Sequence, residues 1–228
     1  SPFPAPKELV AIFGDSRASH WSSIHALQYS PDDKLLATKG QDGIRIWDPA
    51  AGKQKYFFYG ASPFCFSPDG RLFLYTESKN GTSVIAVDLR TGEVAAQIGI
   101  AKEPNAKIHA VAFEEDSNTL LIAKGQSIFR WHLEKESAAP LHTEETGSVQ
   151  AATLAGGAIQ RTVLTIRDGN ANLLKFVDLK AGKAVWLKDP PKHKGFRSAV
   201  MSPDGRYVIS MAPGNPGTTA PDIIWDLT

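Results

Sequence analysis

The chain has 228 residues, with 25 Lys and Arg against 24 Asp and Glu, and a formal net charge of +1. Interspersed charges that nearly cancel exclude the strongly basic surface that nucleic acid or an anionic membrane would require, so neither is expected as a partner. The one cysteine, Cys65, excludes an intrachain disulfide, and no apolar run approaches the ~18 residues of a membrane-inserted helix.

The opening SPFPAPKE carries no basic-then-apolar signal sequence. The compartment is not set by the sequence: the cytoplasm is slightly favoured, with the periplasm or cell exterior expected if a signal has been removed. A single domain over 1–228, whole or cut from a longer chain, is long enough to bury roughly 70–75% of its unfolded surface without staples.

In chain order, the first element is an apolar strand, Leu9–Phe13, that runs into Gly14-Asp15-Ser16. A repeat begins after it. LQYSPDDKLLAT at 27–38, FCFSPDGRLFLY at 64–75 and AVMSPDGRYVIS at 199–210 share one pattern, and VAFEEDSNTLLIA at 111–123 is a degenerate copy. A second pattern follows each: IRIWD (44–48), IAVDL (85–89), IFRWHL (128–133), LKFVDL (174–179) and IIWDL (223–227). The residue before the Asp, or before His132, falls at 47, 87, 131, 177 and 225. The fourth unit lacks a Ser-Pro-Asp turn, and its first strand is read as Val149–Leu154.

Each unit consists of short Val-, Ile-, Leu-, Phe- and Tyr-rich runs punctuated by Gly, Pro, Asp and Asn, which is strand and turn composition. Ser-Pro-Asp-Gly suits a tight turn, because proline presets φ, Ser and Asp bond nearby backbone, and Gly accepts positive φ. DPAAGK, DLRTGE and DLKAGK turn into fourth strands at Gln54–Tyr59, Glu93–Ile98 and Ala184–Leu187. Four antiparallel strands per ~46 residues predict a propeller blade, and five units fill the chain.

These units resemble WD40 repeats. The first has nearly the whole pattern: His20, Ile24, YSPDDKLLAT, Gln41-Asp42-Gly43 and IRIWD. The resemblance implies a buried structural tetrad of His20, Thr38, Asp42 and Trp47, whose chemistries can relay one hydrogen bond to the next. The last unit keeps His193, Ser210 and Trp225, but its enlarged turn APGNPGTTAPD puts Asp222 out of place. Units two, three and four keep the strands and lose the tetrad. WD40 propellers commonly have more than five blades. Either two blades are absent here, or the ring is a five-bladed one closed by Leu9–Phe13, which supplies the fourth strand that IIWDL lacks. The matching numbers favour the five-bladed reading.

Gly14-Asp15-Ser16 also resembles the nucleophile block of GDSL esterases and lipases. A serine nucleophile needs a base within reach. The nearest candidate, Asp189-Pro-Pro-Lys-His193, has one residue too many for that family's Asp-x-x-His, and His193 already has a repeat position. The turn reading of Ser16 prevails, and no catalytic residue, cofactor or metal is expected. No pair or cluster among His20, His25, His109, His132, His142 and His193 has metal-ligand spacing.

His25 and His109 share one slot at the start of an innermost strand, filled by Ser62, Gln150 and Arg197 in units two, four and five. These five residues form either a polar contact ring for a protein or peptide partner, or a set of solvated strand starts. Trp21, Trp186 and the run Tyr56-Phe57-Phe58-Tyr59 lie outside the third-strand Trp slot, as interface anchors or as inter-blade packing. Lys188, Lys192, Lys194 and Arg197 read as a solvated basic loop. What the resemblance implies is a non-catalytic protein- or peptide-binding scaffold. The alternative is a TolB-like envelope or periplasmic propeller of bacterial type, which shares the Ser-Pro-Asp-Gly style. The sequence sets no oligomeric state.

Overall fold

The Ser-Pro-Asp repeats form tight turns with the same bonding in three units. Ser30 Oγ donates to Asp32 at 2.7 Å and accepts the Leu35 amide at 2.9 Å. Ser67 does the same with Asp69 at 2.5 Å and Leu72 at 2.8 Å. Ser202 donates to Asp204 and accepts the Tyr207 amide at 2.9 Å. Each turn ends on a residue of positive φ: Asp33 at 57°, Gly70 at 69° and Gly205 at 61°. Glycine adopts that conformation freely, whereas Asp33 carries a Cβ into it. At the next turn, the carboxylates of Asp48, Asp88 and Asp178 accept the amides of Ala51, Arg90 and Ala181 at 2.8–2.9 Å.

The computed structural model describes residues 20, 22–77, 82–99, 106–135, 137–145, 147–155, 160–168, 171–187, 196, 198–202, 204–211 and 222–227. Every regular element among them is a strand. The chain divides into two compact units, 1–59 and 60–228. The first holds one antiparallel sheet, β1 (Ala26–Tyr29), β2 (Leu36–Gly40), β3 (Gly43–Asp48) and β4 (Lys53–Phe58), in sequence order.

The second unit holds four sheets, each in sequence order. They are β5 (Gly60–Phe66), β6 (Leu72–Glu77), β7 (Ser83–Asp88) and β8 (Val94–Gly99); β9 (Ile108–Phe113), β10 (Thr119–Lys124), β11 (Ser127–His132) and β12 (Ser137–Thr143); β13 (Ser148–Ala155), β14 (Arg161–Asp168), β15 (Ala171–Asp178) and β16 (Lys183–Leu187); and β17 (Ser198–Met201), β18 (Tyr207–Met211) and β19 (Ile223–Asp226). The last sheet has three described strands. Leu9–Phe13, expected to supply its fourth, lies outside the described residues.

The strand register reproduces the internal alignment of the sequence. On the second strand of each sheet, one residue faces the position before the Asp: Leu36 faces Trp47, Phe73 faces Val87, Leu120 faces Trp131, Thr162 faces Val177 and Val208 faces Trp225. Five copies of one sheet plan therefore account for the repeat, and the fold is an all-β propeller.

Within the second unit the innermost strands β5, β9, β13 and β17 lie side by side in that order, and the core fills the spaces between successive blades. Cys65, Leu72, Leu74, Val84 and Ile98 meet Ile108, Phe113, Leu120, Ile122, Phe129 and Trp131. The next layer joins Ala110, Ala123 and Ile128 to Val149, Leu164, Ile166 and Val177. Val163 and Leu174 then pack on Phe196, Met201 and Val208. Because a neighbour covers each face, a middle strand such as β10 is buried at all six positions and reads as an apolar run rather than an alternation.

Candidate functional site

In the first blade, strand pairing brings the four tetrad residues into one chain of hydrogen bonds. The Trp47 indole donates to Thr38 Oγ1 at 2.6 Å, and the Thr38 hydroxyl lies 2.6 Å from His20 Nε2. His20 Nδ1 is 3.1 Å from Asp42 Oδ1. Indole is a donor only and carboxylate an acceptor only, so Trp47 and Asp42 fix the two ends of the chain, with Thr38 and His20 between them. Thr38, His20 and Asp42 thus have the contacts of a hydrolytic triad. However, Thr38 is 5% exposed, and its oxygen accepts the indole proton while lying against the imidazole. A hydroxyl so committed is a structural link and not a nucleophile.

Arg45, which faces Thr38 across the sheet, was not legible as a member of this group. Its guanidinium donates to Asp42 Oδ2, lies 2.9 Å from His20 Nδ1 and stacks over the Phe57 ring at 4.9 Å. Burial alone would raise the Asp42 pKa, but hydrogen bonds from His20 and Arg45, with the Arg45 charge, hold it well below the usual carboxylate range. Gly40 makes room for the cluster, since a Cβ there would meet His20 Nδ1 at 2.5 Å and Asp42 Oδ1 at 2.6 Å. In the last blade Trp225 donates to Ser210 at 3.0 Å, and His193 lies outside the described residues.

The innermost-strand slot has a geometry of its own. In three successive blades of the second unit it is a β-bulge. Ser62 and Pro63 intervene between the pairs Ala61–Thr76 and Phe64–Tyr75. His109 stands unopposed between Ala110–Ala123 and Ile108–Lys124, and Gln150 between Val149–Ile166 and Ala151–Thr165. A bulge breaks the ladder and re-aims a side chain, and bulges gather at barrel rims and binding sites. Ser62 and Gln150 are exposed and His109 is half-buried. Burial, helped by the Lys107 charge, lowers the His109 pKa against a hydrogen bond to the Gln150 main chain, so the ring is neutral at pH 7. In the first unit His25 is exposed just before β1, and its amide donates to the Lys39 carbonyl at 2.8 Å. Arg197 lies outside the described residues, as do Ser16, Trp21, Lys188, Lys192 and Lys194.

The remaining aromatics divide between packing and exposure. Tyr56 stacks on Phe58 at 6.0 Å and Phe57 meets Tyr59 edge-on at 4.8 Å, with Tyr59 79% exposed. Trp186 receives the Lys175 ammonium over its ring at 4.8 Å. Lys175 also donates to the buried Glu144 at 2.7 Å, an ion pair that ties the third blade to the fourth. Burial pushes the Cys65 thiol up to about 12, leaving it a core residue without nucleophilic character.

These blades, with the indole–hydroxyl–imidazole–carboxylate chain in the first, define a β-propeller. The small ribosomal subunit protein RACK1 of Medicago sativa is 36% identical over 97 residues, covering 36% of this chain and 29% of that protein. Among solved structures, U3-55K superposes with a TM-score of 0.68 at 14% identity, over 92% of this chain and 62% of that one. Kuenenia stuttgartiensis hydrazine synthase does so with a TM-score of 0.66 at 16% identity, over 94% and 67%. No family model matches the chain. The chain thus spans less than two thirds of the length of RACK1 or U3-55K, and the two structural likenesses speak to the fold alone.

Proposed function

We propose that this protein is a non-catalytic scaffold that binds other proteins or peptides through the rim formed at the starts of its innermost strands. The contact residues are Ser62, His109 and Gln150, with His25 and Arg197 in the same repeat slot. One observation supports the reading. The slot that carries polar side chains in the repeat is also where the ladder is broken in three successive blades. A β-sheet has no structural need for a bulge at the same point three times over, and a bulged rim serves to present side chains and free main-chain groups. The resemblance of the repeats to WD40 repeats implies a binding role of this kind.

The test is a random-peptide phage selection on the native protein, counter-selected on heat-denatured protein. Peptides that enrich should bind at least about tenfold more weakly to a Ser62→Ala/His109→Ala/Gln150→Ala variant of unchanged melting temperature. Peptides indifferent to all three changes, or no enrichment over the denatured control, would sink the proposal.

A further inference from the structure

Gln126 stands in the turn between β10 and β11, five residues before Trp131. Asp42 stands five residues before Trp47, so the two occupy one repeat position. In the first blade that position faces inward, to His20. The third blade has Ile122 where the first has Thr38, so no hydroxyl stands there to carry such a chain. Gln126 instead reaches into the fourth blade. Its Nε2 donates to the Gly147 carbonyl at 2.9 Å, and its Oε1 accepts the Val149 amide at 3.1 Å. A primary amide that donates to one residue and accepts from the next but one imitates a neighbouring strand.

The clamped segment is bent and tightly seated. Gly147 has φ of 71°, and a Cβ on it would meet Ile166 Cγ2 at 2.5 Å and the Arg167 carbonyl at 2.8 Å. The segment leads directly into the Gln150 bulge. The Gln126 side chain of the third blade therefore holds the entry of β13 on either side of Ser148.

We propose that Gln126 is a positioning residue for the binding rim: it holds Gly147–Val149 in the conformation that presents Gln150, so that the rim of the third and fourth blades is preformed before a partner arrives. This rests on the scaffold reading above. A preformed site avoids the ordering cost that a loose strand end would impose on binding.

The experiment uses Gln126→Leu, which removes both bonds, and Gln126→Glu, which keeps the acceptor for Val149 and loses the donor to Gly147. Amide hydrogen exchange is read at Val149 relative to Leu120–Ile122 of β10, so that a global loss of stability cancels. That ratio should rise about tenfold in Gln126→Leu and by less in Gln126→Glu, which keeps the Val149 bond but sets a carboxylate oxygen against the Gly147 carbonyl. A peptide from the phage selection should lose about as much affinity on Gln126→Leu as on Gln150→Ala. An unchanged exchange ratio in Gln126→Leu overturns the clamp. A raised ratio with undiminished peptide affinity overturns its bearing on the rim. Failure of the selection to yield any peptide counts against the scaffold reading, and the exchange ratio still decides the clamp, so the two ideas fail separately.

Discussion

Trp47 offers the sharpest test of the first blade. It is 7% exposed, lies edge-on to the His20 ring with centroids 6.2 Å apart, and gives its only polar hydrogen to Thr38. Truncation to Ala withdraws an aromatic surface of about 150–250 Å², worth roughly 4–6 kcal/mol at 25 cal/mol/Å². Relaxation of the cavity brings the expected loss to about 3–5 kcal/mol, as for other buried Trp truncations. Trp47→Phe keeps most of the ring and removes the donor, leaving Thr38 Oγ1 short of one partner, at a cost of about 1–2 kcal/mol. Urea unfolding followed by far-ultraviolet circular dichroism measures both without relying on the fluorophore being removed. A Trp47→Ala loss below about 1 kcal/mol would show that the indole is not the packing centre of this sheet. Equal losses in the two variants would place the energy in the hydrogen bond alone.

Asp33 occupies a positive-φ position that Gly70 and Gly205 fill in the sister turns. Asp33→Gly should therefore be neutral or stabilising by up to about 1 kcal/mol, and a loss in thermal melts would mean that the aspartate side chain makes up for its backbone cost. Asp42, Asp69 and Asp116 have lowered pKa values, because burial, which raises them, is outweighed by hydrogen bonds from His20 and Arg45, from Ser67 and the Arg71 amide, and from the Asn118 amide and Thr119, respectively. Folded values below the unfolded ones give a contribution that is complete above about pH 4–5 and is lost as pH falls through the folded pKa values. Melting temperature should fall steeply below pH 4, and a flat profile between pH 5 and 3 would contradict these assignments.

The sequence made the blades legible because their grammar is local. Ser30, Asp32 and the residues that close their turn lie within five positions of one another, so a short window contains the whole physical cause. The register followed from the same turns, since a fixed turn length fixes which second-strand residue meets Trp47 or its counterpart. Two features escaped. Pro140 lies within β12, opposite Phe129 and beside a register shift, where a proline weakens the strand signal although an outer strand tolerates it. The bulges at Ser62–Pro63, His109 and Gln150 escaped because one or two extra residues at the start of a strand leave the alternation further along intact. Only the partner strand shows that a residue is unopposed.

The same distinction explains why the slot of Asp42 and Gln126 could be aligned but not interpreted. Its place is set by a two-residue turn and is visible in the sequence. Its partner is set by what lies across from it. In the first blade, a histidine, a threonine and a tryptophan of the same sheet supply a closed chain of donors, and a carboxylate is the only acceptor-only side chain that ends it. In the third blade the apolar Ile122 removes the need for an acceptor, while the main chain of the next blade presents one donor and one acceptor two residues apart. A carboxylate there would leave the Gly147 carbonyl facing an oxygen. A carboxamide satisfies both groups, and the exchange of Asp for Gln changes the turn from one that locks its own blade to one that holds its neighbour.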